Sequence, residues 1–257
     1  MYDMLYIGTN TKMTKTIAQT VSFLAALDRL TADISRDDMT LFVIPSYTAI
    51  ESARKTIDGK SILLGAQNMC WEDYGQFTGE ISPVMLEETG VDIIEIGHSE
   101  RRHVLHETDE MINKKVLAAM RHGFIPLLCI GETDAQKSLG IANEILSIQL
   151  KSGLHGVAKT DISKLWIAYE PVWAIGEGGK PASAEYADEK HGVIKTVLKE
   201  MFGKRGAAIP VLYGGSVNPQ NASALAQKAN IDGLFVGRSA WDAPLFNTLI
   251  RQVLSAL

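Results

Sequence analysis

The stretch that decides the fold is FIPLLCIG (residues 124–131), followed by GIANEILSIQLKSGL (residues 140–154) and LWIAYE (residues 165–170). The first and third segments are short, nearly uninterrupted apolar runs, which are typical of β-strands covered on both faces. The middle segment carries its apolar residues at helical spacing. The stretch therefore predicts two parallel strands joined by a helix.

The same alternation extends to both ends of the chain. Six further strand-like runs are MLYIG (4–8), LFVIP (41–45), SILLGA (61–66), DIIEIG (92–97), IPVLYGG (209–215) and GLFVG (233–237). Four further helical stretches are TIAQTVSFLAALDRL (16–30), ETDEMINKKVLAAMRHG (107–123), YADEKHGVIKTVLKEMFG (186–203) and APLFNTLIRQVLSAL (243–257). Eight strands alternating with helices fit either a doubly wound α/β sheet or a closed (β/α)8 barrel. The count favours the barrel, as one domain over residues 1–257, because no linker divides the chain.

The composition excludes several classes of protein. Lys and Arg number 25 against 30 Asp and Glu, so the formal net charge is -5, and there is no basic run. We therefore do not expect nucleic acid as the main partner. No apolar run approaches the roughly 18 residues that a membrane span requires, so no membrane partner is expected.

The N-terminus and the cysteines favour a cytoplasmic protein. MYDMLYIGTN (residues 1–10) has neither a basic segment nor a long apolar one, so it does not predict a signal peptide. Cys70 and Cys129 lie in apolar surroundings, and neither belongs to a metal-binding spacing. Two buried, reduced thiols and no metal site are expected, which suits the cytosol.

A barrel places its chemistry where strands end and loops begin, at the C-terminal rim. Polar or glycine-rich positions do follow the predicted strands: Asn10 and Lys12, His98, Glu170, Gly214, Gly215 and Ser216, and Gly237 and Arg238. Each position has an ordinary structural explanation when taken alone. Together they predict a site at one rim.

The segment AYEPVWAIGEGGKPAS (residues 168–183) raises the question of a nucleotide-binding loop. A phosphate-binding P-loop reads GxxxxGK followed by Ser or Thr. Here Ala174 stands where the first glycine is required, and Pro181 follows Lys180, so the match fails twice. The remaining alternatives are a flexible surface loop, or a lid that is stiffened by Pro171 and hinged at Gly176, Gly178 and Gly179.

Glu170 and His98 are the two candidates for proton chemistry. Glu170 ends an apolar strand, where desolvation would favour the uncharged form and suit a group that takes and returns a proton. The alternative is a capping or ion-paired glutamate. His98 precedes SERRHVLHE (residues 99–107), which can begin a helix, and a helix N-terminus disfavours a second positive charge. A neutral imidazole could donate a hydrogen bond to a carbonyl oxygen, although a single histidine is more often structural.

The other rim positions fit an anionic substrate. Lys12 could supply a positive charge, although most loop lysines are merely solvated. Ser216 and Gly237 could offer backbone N–H groups after the seventh and eighth strands, where barrels often bind phosphate. The alternative for these glycine-rich segments is an ordinary turn.

These motifs resemble the triosephosphate isomerase family over essentially the whole chain. The most specific match is AYEPVWAIG (168–176), supported by EIGHSERR (95–102). LCIGE (128–132), YGGSV (213–217), FTGE (77–80) and the Asn10-x-Lys12 pair keep the order of the family.

The resemblance implies a role for each matched residue, and the base and the neutral histidine are known features of this family. Glu170 would be the base that moves a proton between adjacent carbons, and His98 the neutral electrophile. Asn10 and Lys12 would hold the developing enediolate and phosphate charge, and Glu100 matches a further polar position of the site.

The resemblance also implies a phosphate site and a lid. Gly176, Ser216 and Gly237 would give backbone amides to the phosphate. The loop of residues 171–183 would be the lid, and its first part consists of Pro171, Val172, Trp173, Ala174 and Ile175. No metal or organic cofactor is implied, because proton transfer with electrostatic stabilisation is enough.

A homodimer is the partner that the resemblance implies, beside a small phosphorylated sugar as substrate. The FTGE segment would lie in a loop that reaches into a neighbouring subunit. Thr78 would then support Asn10 of the partner subunit and His98 of the partner subunit.

Departures from the family pattern concern the walls of the site. Thr11 stands where an aromatic residue is usual, in an opening that is one residue longer. Arg238 replaces the second glycine of a Gly-Gly pair, where it could bind phosphate or point outward, and Phe235 replaces a leucine that presses on the base. The segment GEGGKPAS (residues 176–183) makes the lid look one residue longer than usual.

Three functions are therefore open. The first is interconversion of dihydroxyacetone phosphate and D-glyceraldehyde 3-phosphate, as in glycolysis and gluconeogenesis. The alternative is the same proton transfer on a tetrulose phosphate, from L-erythrulose 1-phosphate to D-erythrulose 4-phosphate, as in erythritol catabolism. A barrel that binds phosphate without turnover is the third, and the retained Glu170 and His98 argue against it.

Overall fold

The eight predicted strands form one closed, all-parallel barrel. The computed structural model describes residues 4–57, 61–176 and 179–257. Each strand pairs with the next in chain order, and the eighth pairs with the first. The strands are β1 (Leu5–Asn10), β2 (Met39–Ile44), β3 (Leu63–Ala66), β4 (Ile93–Ile96), β5 (Ile125–Ile130), β6 (Trp166–Tyr169), β7 (Val211–Tyr213) and β8 (Gly233–Val236). The prediction of a (β/α)8 barrel is confirmed.

Helices connect the strands and surround the barrel. They are α1 (Ile17–Leu30), α2 (Ile50–Thr56), α3 (Pro83–Thr89), α4 (Ser99–His103), α5 (Asp109–Arg121), α6 (Asp134–Ser138), α7 (Ala142–Gly153), α8 (Ala184–Phe202), α9 (Ala222–Ala226) and α10 (Ala243–Ala256). The five long helices follow the predicted stretches closely. Sequence periodicity did not predict α2, α3, α6 and α9, because each has only five or seven residues.

Aromatic rings fill the middle of the barrel. The ring of Phe42 lies 5.6 Å from that of Trp166 and 5.5 Å from that of Phe235, measured between centroids. Gly8 makes room for Phe42, since a Cβ atom at residue 8 would lie 2.4 Å from the ring. This pairing of a glycine with a large side chain leaves the barrel core packed rather than open.

The larger apolar core lies between the barrel and the helices. Residues of β4 alternate between the two cores, with Ile93 in the barrel interior and Ile94 and Ile96 facing the helices. Strands covered on both faces explain the continuous apolar runs of the sequence. Across the described ranges, no helix combines the length and the apolar character needed to cross a bilayer.

The closure of the barrel also joins the two ends of the chain at the rim. The indole N–H of Trp241, after β8, donates a hydrogen bond to the backbone oxygen of Asn10, the last residue of β1, at 2.9 Å. The two residues are 231 positions apart in sequence. The C-terminal rim is thus held by contacts between the first and last βα units.

Candidate active site

Two adjoining cavities open at the C-terminal rim. The larger, of about 250 Å³, is lined by Gly176, Ser216, Gly237 and Arg238 among others. The smaller, of about 50 Å³, is lined by Asn10, His98, Glu170 and Phe235 among others. Lys12 lines both cavities, as do Ile175, Gly215 and Gly237.

Glu170 and His98 face each other at the smaller cavity. Glu170 directly follows β6 and is 3% exposed, and His98 follows β4 and is 5% exposed. His98 Nε2 lies 3.6 Å from Glu170 Oε1. The backbone N–H of Ser99 donates to Glu170 Oε2 at 3.2 Å, which fixes the direction of the carboxyl group. The two predicted groups are therefore side by side.

The tautomer of His98 follows from its contacts. His98 is the N-cap residue of α4, and its Nδ1 accepts a hydrogen bond from the backbone N–H of Glu100 at 3.1 Å. An imidazole nitrogen that accepts carries no proton, so the proton of a neutral ring lies on Nε2. Nε2 is the atom that faces Glu170 and the cavity. In a neutral ring, the Nε2–H is therefore the donor that faces the cavity, and its predicted role toward a carbonyl oxygen stays a prediction.

Asn10 and Lys12 are held together beside this pair. Asn10 Oδ1 accepts from the backbone N–H of Lys12 at 2.6 Å and from Gln67 Nε2 at 3.0 Å. Gln67 also donates to the backbone oxygen of Lys12 at 2.9 Å. Lys12 has a φ of 49°, a left-handed conformation that costs a non-glycine residue about 1–3 kcal/mol. The hydrogen bonds to Asn10 and Gln67 hold the strained backbone in place.

Glu100 lies next to Lys12 and His98. Its Oε1 accepts from Lys12 Nζ at 2.6 Å, and its Oε2 lies 3.6 Å from His98 Nδ1. Burial raises the pKa of Glu100, but the hydrogen bond from Lys12 and the charge of that ammonium group oppose it, and the pKa is lowered. The anionic Glu100 therefore holds the ammonium group of Lys12 at the edge of the cavity.

The predicted phosphate-binding positions share the larger cavity. Gly176 has a φ of 83°, which favours glycine there. The backbone oxygen of Ser216 accepts from Asn221 Nδ2 at 2.8 Å, which fixes the loop after β7. Gly237 precedes the short 3₁₀ turn Arg238–Ala240 after β8. Binding of phosphate by these groups remains a proposal, taken up below.

The predicted lid begins with an anchored turn. Val172–Ala174 form a 3₁₀ turn between Pro171 and Ile175, and Ile175 lines both cavities. The lid ends at Ser183, whose hydroxyl oxygen accepts from the N–H of Tyr186 at the start of α8. Of the three predicted hinge glycines, Gly178 lies outside the described residues.

Glu132 anchors the first part of the lid, and sequence reasoning did not assign it this role. Its Oε1 accepts hydrogen bonds from Trp173 Nε1 at 2.8 Å, Tyr186 Oη at 2.9 Å and Tyr169 Oη at 3.0 Å. Burial and the charge of Glu132 raise the pKa of both tyrosines. Lys137 Nζ lies 3.3 Å from the centroid of the Trp173 ring, a cation–π contact.

The departures from the family pattern lie in different surroundings. Phe235 lines the smaller cavity and Arg238 the larger one. Thr11 is fully buried, and its backbone N–H donates to the Ile44 oxygen at 3.1 Å. Thr11 therefore supports the rim rather than forming a wall of the described cavities. Thr78 is exposed on the loop after β3 and is not part of the site of its own chain.

Sequence reasoning also missed Glu95 and Gln67. Glu95 is fully buried in β4, and its Oε2 accepts from Asn10 Nδ2 at 2.7 Å. Burial, then the charge of Glu170, raises the pKa of Glu95 well above its usual range. The signals were present, since Glu95 interrupts the apolar run DIIEIG and Gln67 follows a strand at the rim.

Glu95, His98 and Glu170 also have the ligand types of a cation site. One such atom from each lies within 4.8 Å of the other two. However, Glu95 already accepts from Asn10, Glu170 accepts from Ser99, and the protonated Nε2 of His98 cannot bind a metal. The arrangement suits proton transfer better than metal binding.

The fold and this pair of groups define a class: a (β/α)8-barrel enzyme that moves protons on a small anionic molecule. The family model for triosephosphate isomerase matches residues 5–253. A triosephosphate isomerase of known structure from Bartonella henselae is 34% identical, with a TM-score of 0.87 over 96% of this chain and 98% of its own.

Two curated relatives are more similar in sequence. The L-erythrulose-1-phosphate isomerase of Rhizobium etli is 45% identical over 98% of this chain and 94% of its own length. The L-erythrulose-1-phosphate isomerase of Rhizobium meliloti is 46% identical over 98% of both chains. The chain belongs to the triosephosphate isomerase family, and it is an enzyme of the isomerase class.

Proposed function

We propose that the protein is a tetrulose-phosphate isomerase that converts L-erythrulose 1-phosphate into D-erythrulose 4-phosphate. The observation that carries this proposal is the 45–46% identity to relatives of that name, against 34% to the triosephosphate isomerase of known structure. Phe235 and Arg238 on the cavity walls support a substrate other than the triose. The relatives thus favour the second of the two isomerase readings over the first.

The geometry supports one chemical route for this conversion. Glu170 removes the proton from C3 of the ketose, while the Nε2–H of His98 donates a hydrogen bond to the C2 carbonyl oxygen. The enediolate that forms is stabilised by the amide of Asn10 and the ammonium group of Lys12. Glu170 then returns the proton to C2. The proton of the C3 hydroxyl passes to the C2 oxygen, so the C3 oxygen becomes the carbonyl and the C2 oxygen a hydroxyl. No redox partner is required, because bonds and electrons balance within the substrate.

The deciding measurement is kcat/KM of the purified protein on L-erythrulose 1-phosphate and on D-glyceraldehyde 3-phosphate. We expect the tetrulose to be preferred by on the order of 10²-fold, the discrimination that a pocket wall achieves on one extra carbon group. A preference for the triose phosphate would support the first function, interconversion of dihydroxyacetone phosphate and D-glyceraldehyde 3-phosphate. Binding without turnover of either sugar phosphate would support the third function, a barrel that binds phosphate without catalysis.

Arg238 is proposed to strengthen phosphate binding. Its side chain is exposed and lines the same cavity as Gly176, Ser216 and Gly237. Replacing Arg238 by glycine should weaken competitive inhibition by inorganic phosphate by about 3–10-fold, since a half-solvated charge-assisted hydrogen bond is lost.

The matched control for this measurement is Arg205→Gly, in the 3₁₀ segment Gly203–Ala208 just before β7, at the opposite end of the barrel. The control should leave the inhibition constant of phosphate unchanged. Equal constants for wild type and Arg238→Gly would remove Arg238 from the phosphate site.

A homodimer is proposed on the exposure of apolar side chains at the rim. Met13 is 96% exposed and Tyr74 80%, and Phe77, Val104 and Leu105 are exposed on neighbouring loops. Apolar patches of this kind mark protein interfaces. The proposed contact places Thr78 near the site of the partner subunit, and sedimentation equilibrium of the wild type against Thr78→Arg would show whether that loop joins two chains.

A cytoplasmic location is proposed as well. Cys70 and Cys129 are both free and buried, which suits a reducing compartment. Fractionation of the native host followed by immunodetection would test it, and recovery from an extracytoplasmic fraction would contradict it.

A further inference from the structure

Glu95 is a buried carboxyl group that the proposed mechanism does not use. It is the third residue of β4, and its fully buried side chain lies between the apolar barrel interior and the polar groups of the rim. The residues that form this interior core include Ile93, Leu127, Ala168, Leu212 and Phe235. A carboxyl group in such surroundings destabilises the fold unless it holds a proton or a strong partner. The contacts of Glu95 therefore indicate what it can do at this position.

Asn10 is the group that Glu95 contacts most closely. Asn10 Nδ2 donates to Glu95 Oε2 at 2.7 Å, while Asn10 Oδ1 accepts from the Lys12 N–H and from Gln67. These three contacts fix which end of the amide is oxygen and which is nitrogen. One hydrogen of Nδ2 is used by Glu95, and the other remains for a substrate oxygen in the cavity that Asn10 lines. Glu95 therefore controls the direction of the Asn10 amide.

Glu95 and Glu170 are too close for both to be ionised at little cost. An oxygen of each lies within 4.8 Å of the other, and both side chains are buried. Two carboxyl groups in such a position share one proton. Glu170 accepts the Ser99 N–H and faces His98 Nε2, whereas Glu95 contacts the Asn10 amide and, at 3.9 Å, the Cys129 thiol. Glu95 is fully buried whereas Glu170 lines the cavity, so the desolvation cost of the charge is greater at Glu95 and the shared proton is placed there.

We propose that Glu95 is a positioning residue for the isomerisation: as an un-ionised carboxyl group it aims the Asn10 amide at the enediolate oxygen and leaves the one negative charge of the Glu95–Glu170 pair on Glu170. This inference rests on the proposed function. Burial and the charge of Glu170 raise the pKa of Glu95, which agrees with the shared proton.

Ionisation of Glu95 would oppose the reaction. The titratable groups that face it are Lys12 from the end of β1, His98 and Glu100 after β4, Cys129 in β5 and Glu170 after β6. Burial, Glu170 and Glu100 disfavour the Glu95 anion, and they outweigh the hydrogen bond from Asn10 and the charge of Lys12, which favour it. A second anion beside the enediolate would raise the barrier, so kcat should fall at alkaline pH as Glu95 loses its proton.

Two substitutions distinguish the role of Glu95 as a hydrogen-bond acceptor for Asn10 from the effect of its charge. Glu95→Leu has similar size but no acceptor for Asn10, and kcat should fall at least about tenfold while KM changes less than about threefold. Glu95→Gln keeps a carbonyl oxygen for Asn10 and cannot ionise, so its kcat should fall less. The decrease of kcat at alkaline pH that is expected for the wild type should be absent from Glu95→Gln. Ile93→Val, an inward position of the same strand, is the control for disturbance of the barrel interior.

Stability provides a readout that does not need the substrate. The pKa of Glu95 is higher in the folded protein than in the unfolded chain, so the folded protein keeps this proton to higher pH. The wild type therefore loses stability as the pH rises above the pKa that Glu95 has in the unfolded chain. Glu95→Gln lacks this loss. Its Tm should exceed that of the wild type by a margin that widens from about pH 5 to pH 9.

The outcomes distinguish this inference from the proposed function. A wild type that isomerises neither phosphosugar refutes the proposed function and the positioning role together, while the Tm series still decides whether Glu95 is un-ionised. An active wild type with the same pH profile and the same kcat as Glu95→Gln and Glu95→Leu refutes the positioning role alone. If Glu95→Leu does not fold, the pH profile of Glu95→Gln decides.

Discussion

Replacing Glu170 by glutamine should lower kcat by about 10³–10⁴-fold, at the upper end of what general-base catalysis contributes. Glutamine has the shape of glutamate but cannot take a proton from carbon. The side chain is held between His98 and the N–H of Ser99, and a Cβ atom at Gly214 would lie 2.9 Å from Glu170 Cγ. The amide should therefore occupy the same position.

Binding separates this loss from a damaged site. Competitive inhibition by inorganic phosphate should be nearly unchanged in Glu170→Gln, because phosphate is proposed to bind near Gly176 and Gly237, away from the base. Glu144→Gln, exposed on α7, is the matched control and should keep full kcat. A Glu170→Gln variant with more than a tenth of the wild-type kcat would show that another group is the base.

Replacing Lys12 by methionine should lower kcat/KM by about 10²–10³-fold, the loss expected when one stabilising group is removed from a developing anion. Methionine keeps most of the length of the side chain and removes the charge. Lys12 lines both cavities, and it is proposed to act on both the phosphate and the enediolate oxygen. Both KM and kcat should therefore change.

The ion pair with Glu100 strengthens this expectation. Without Lys12, the carboxylate of Glu100 would face an anionic substrate with no cation between them. Lys15→Met, three residues further on, is the control, since Lys15 Nζ lies 5.0 Å from the centroid of the Phe23 ring and does not line the described cavities. Unchanged KM for Lys12→Met, with kcat alone reduced, would place the charge at the reacting carbons rather than at the phosphate.

The barrel could be predicted because its strands are buried on both faces. Runs such as DIIEIG and FIPLLCIG are continuous and apolar, and their number fits only a few architectures. The position of Glu170, His98 and Lys12 at one rim followed from the parallel direction of the strands. Helices of one or two turns, such as α6 and α9, could not be predicted because five residues are too few to show a helical period.

The contacts that connect the catalytic groups could not be predicted in the same way. Gln67 reaches Asn10 from β3, and Glu95 reaches it from β4, across 57 and 85 positions of sequence. Such pairings depend on barrel register and side-chain direction, which a single sequence does not contain. Glu95 could have been noticed as a charge in a strand, although its partner could not.

The substrate was the least predictable property. Triose and tetrulose phosphates require the same base, the same electrophile and the same phosphate site, so Glu170, His98 and Ser216 are common to both readings. Phe235 and Arg238, on the cavity walls, depart from the family pattern. The sequence does not determine where their side chains lie in the cavities, and so it does not determine which substrate fits. Similarity to named relatives therefore had more weight for the substrate than for the reaction.

The hydrogen bond between Trp241 and Asn10 has a consequence for the order in which the protein becomes active. During synthesis Asn10 leaves the ribosome long before β8 and Trp241, and until they arrive β1 has an open edge and the Asn10 backbone lacks this donor. The nascent chain can build the first βα units early, but it cannot assemble the site. Catalytic competence should therefore appear in a single step, when the last unit docks against the first.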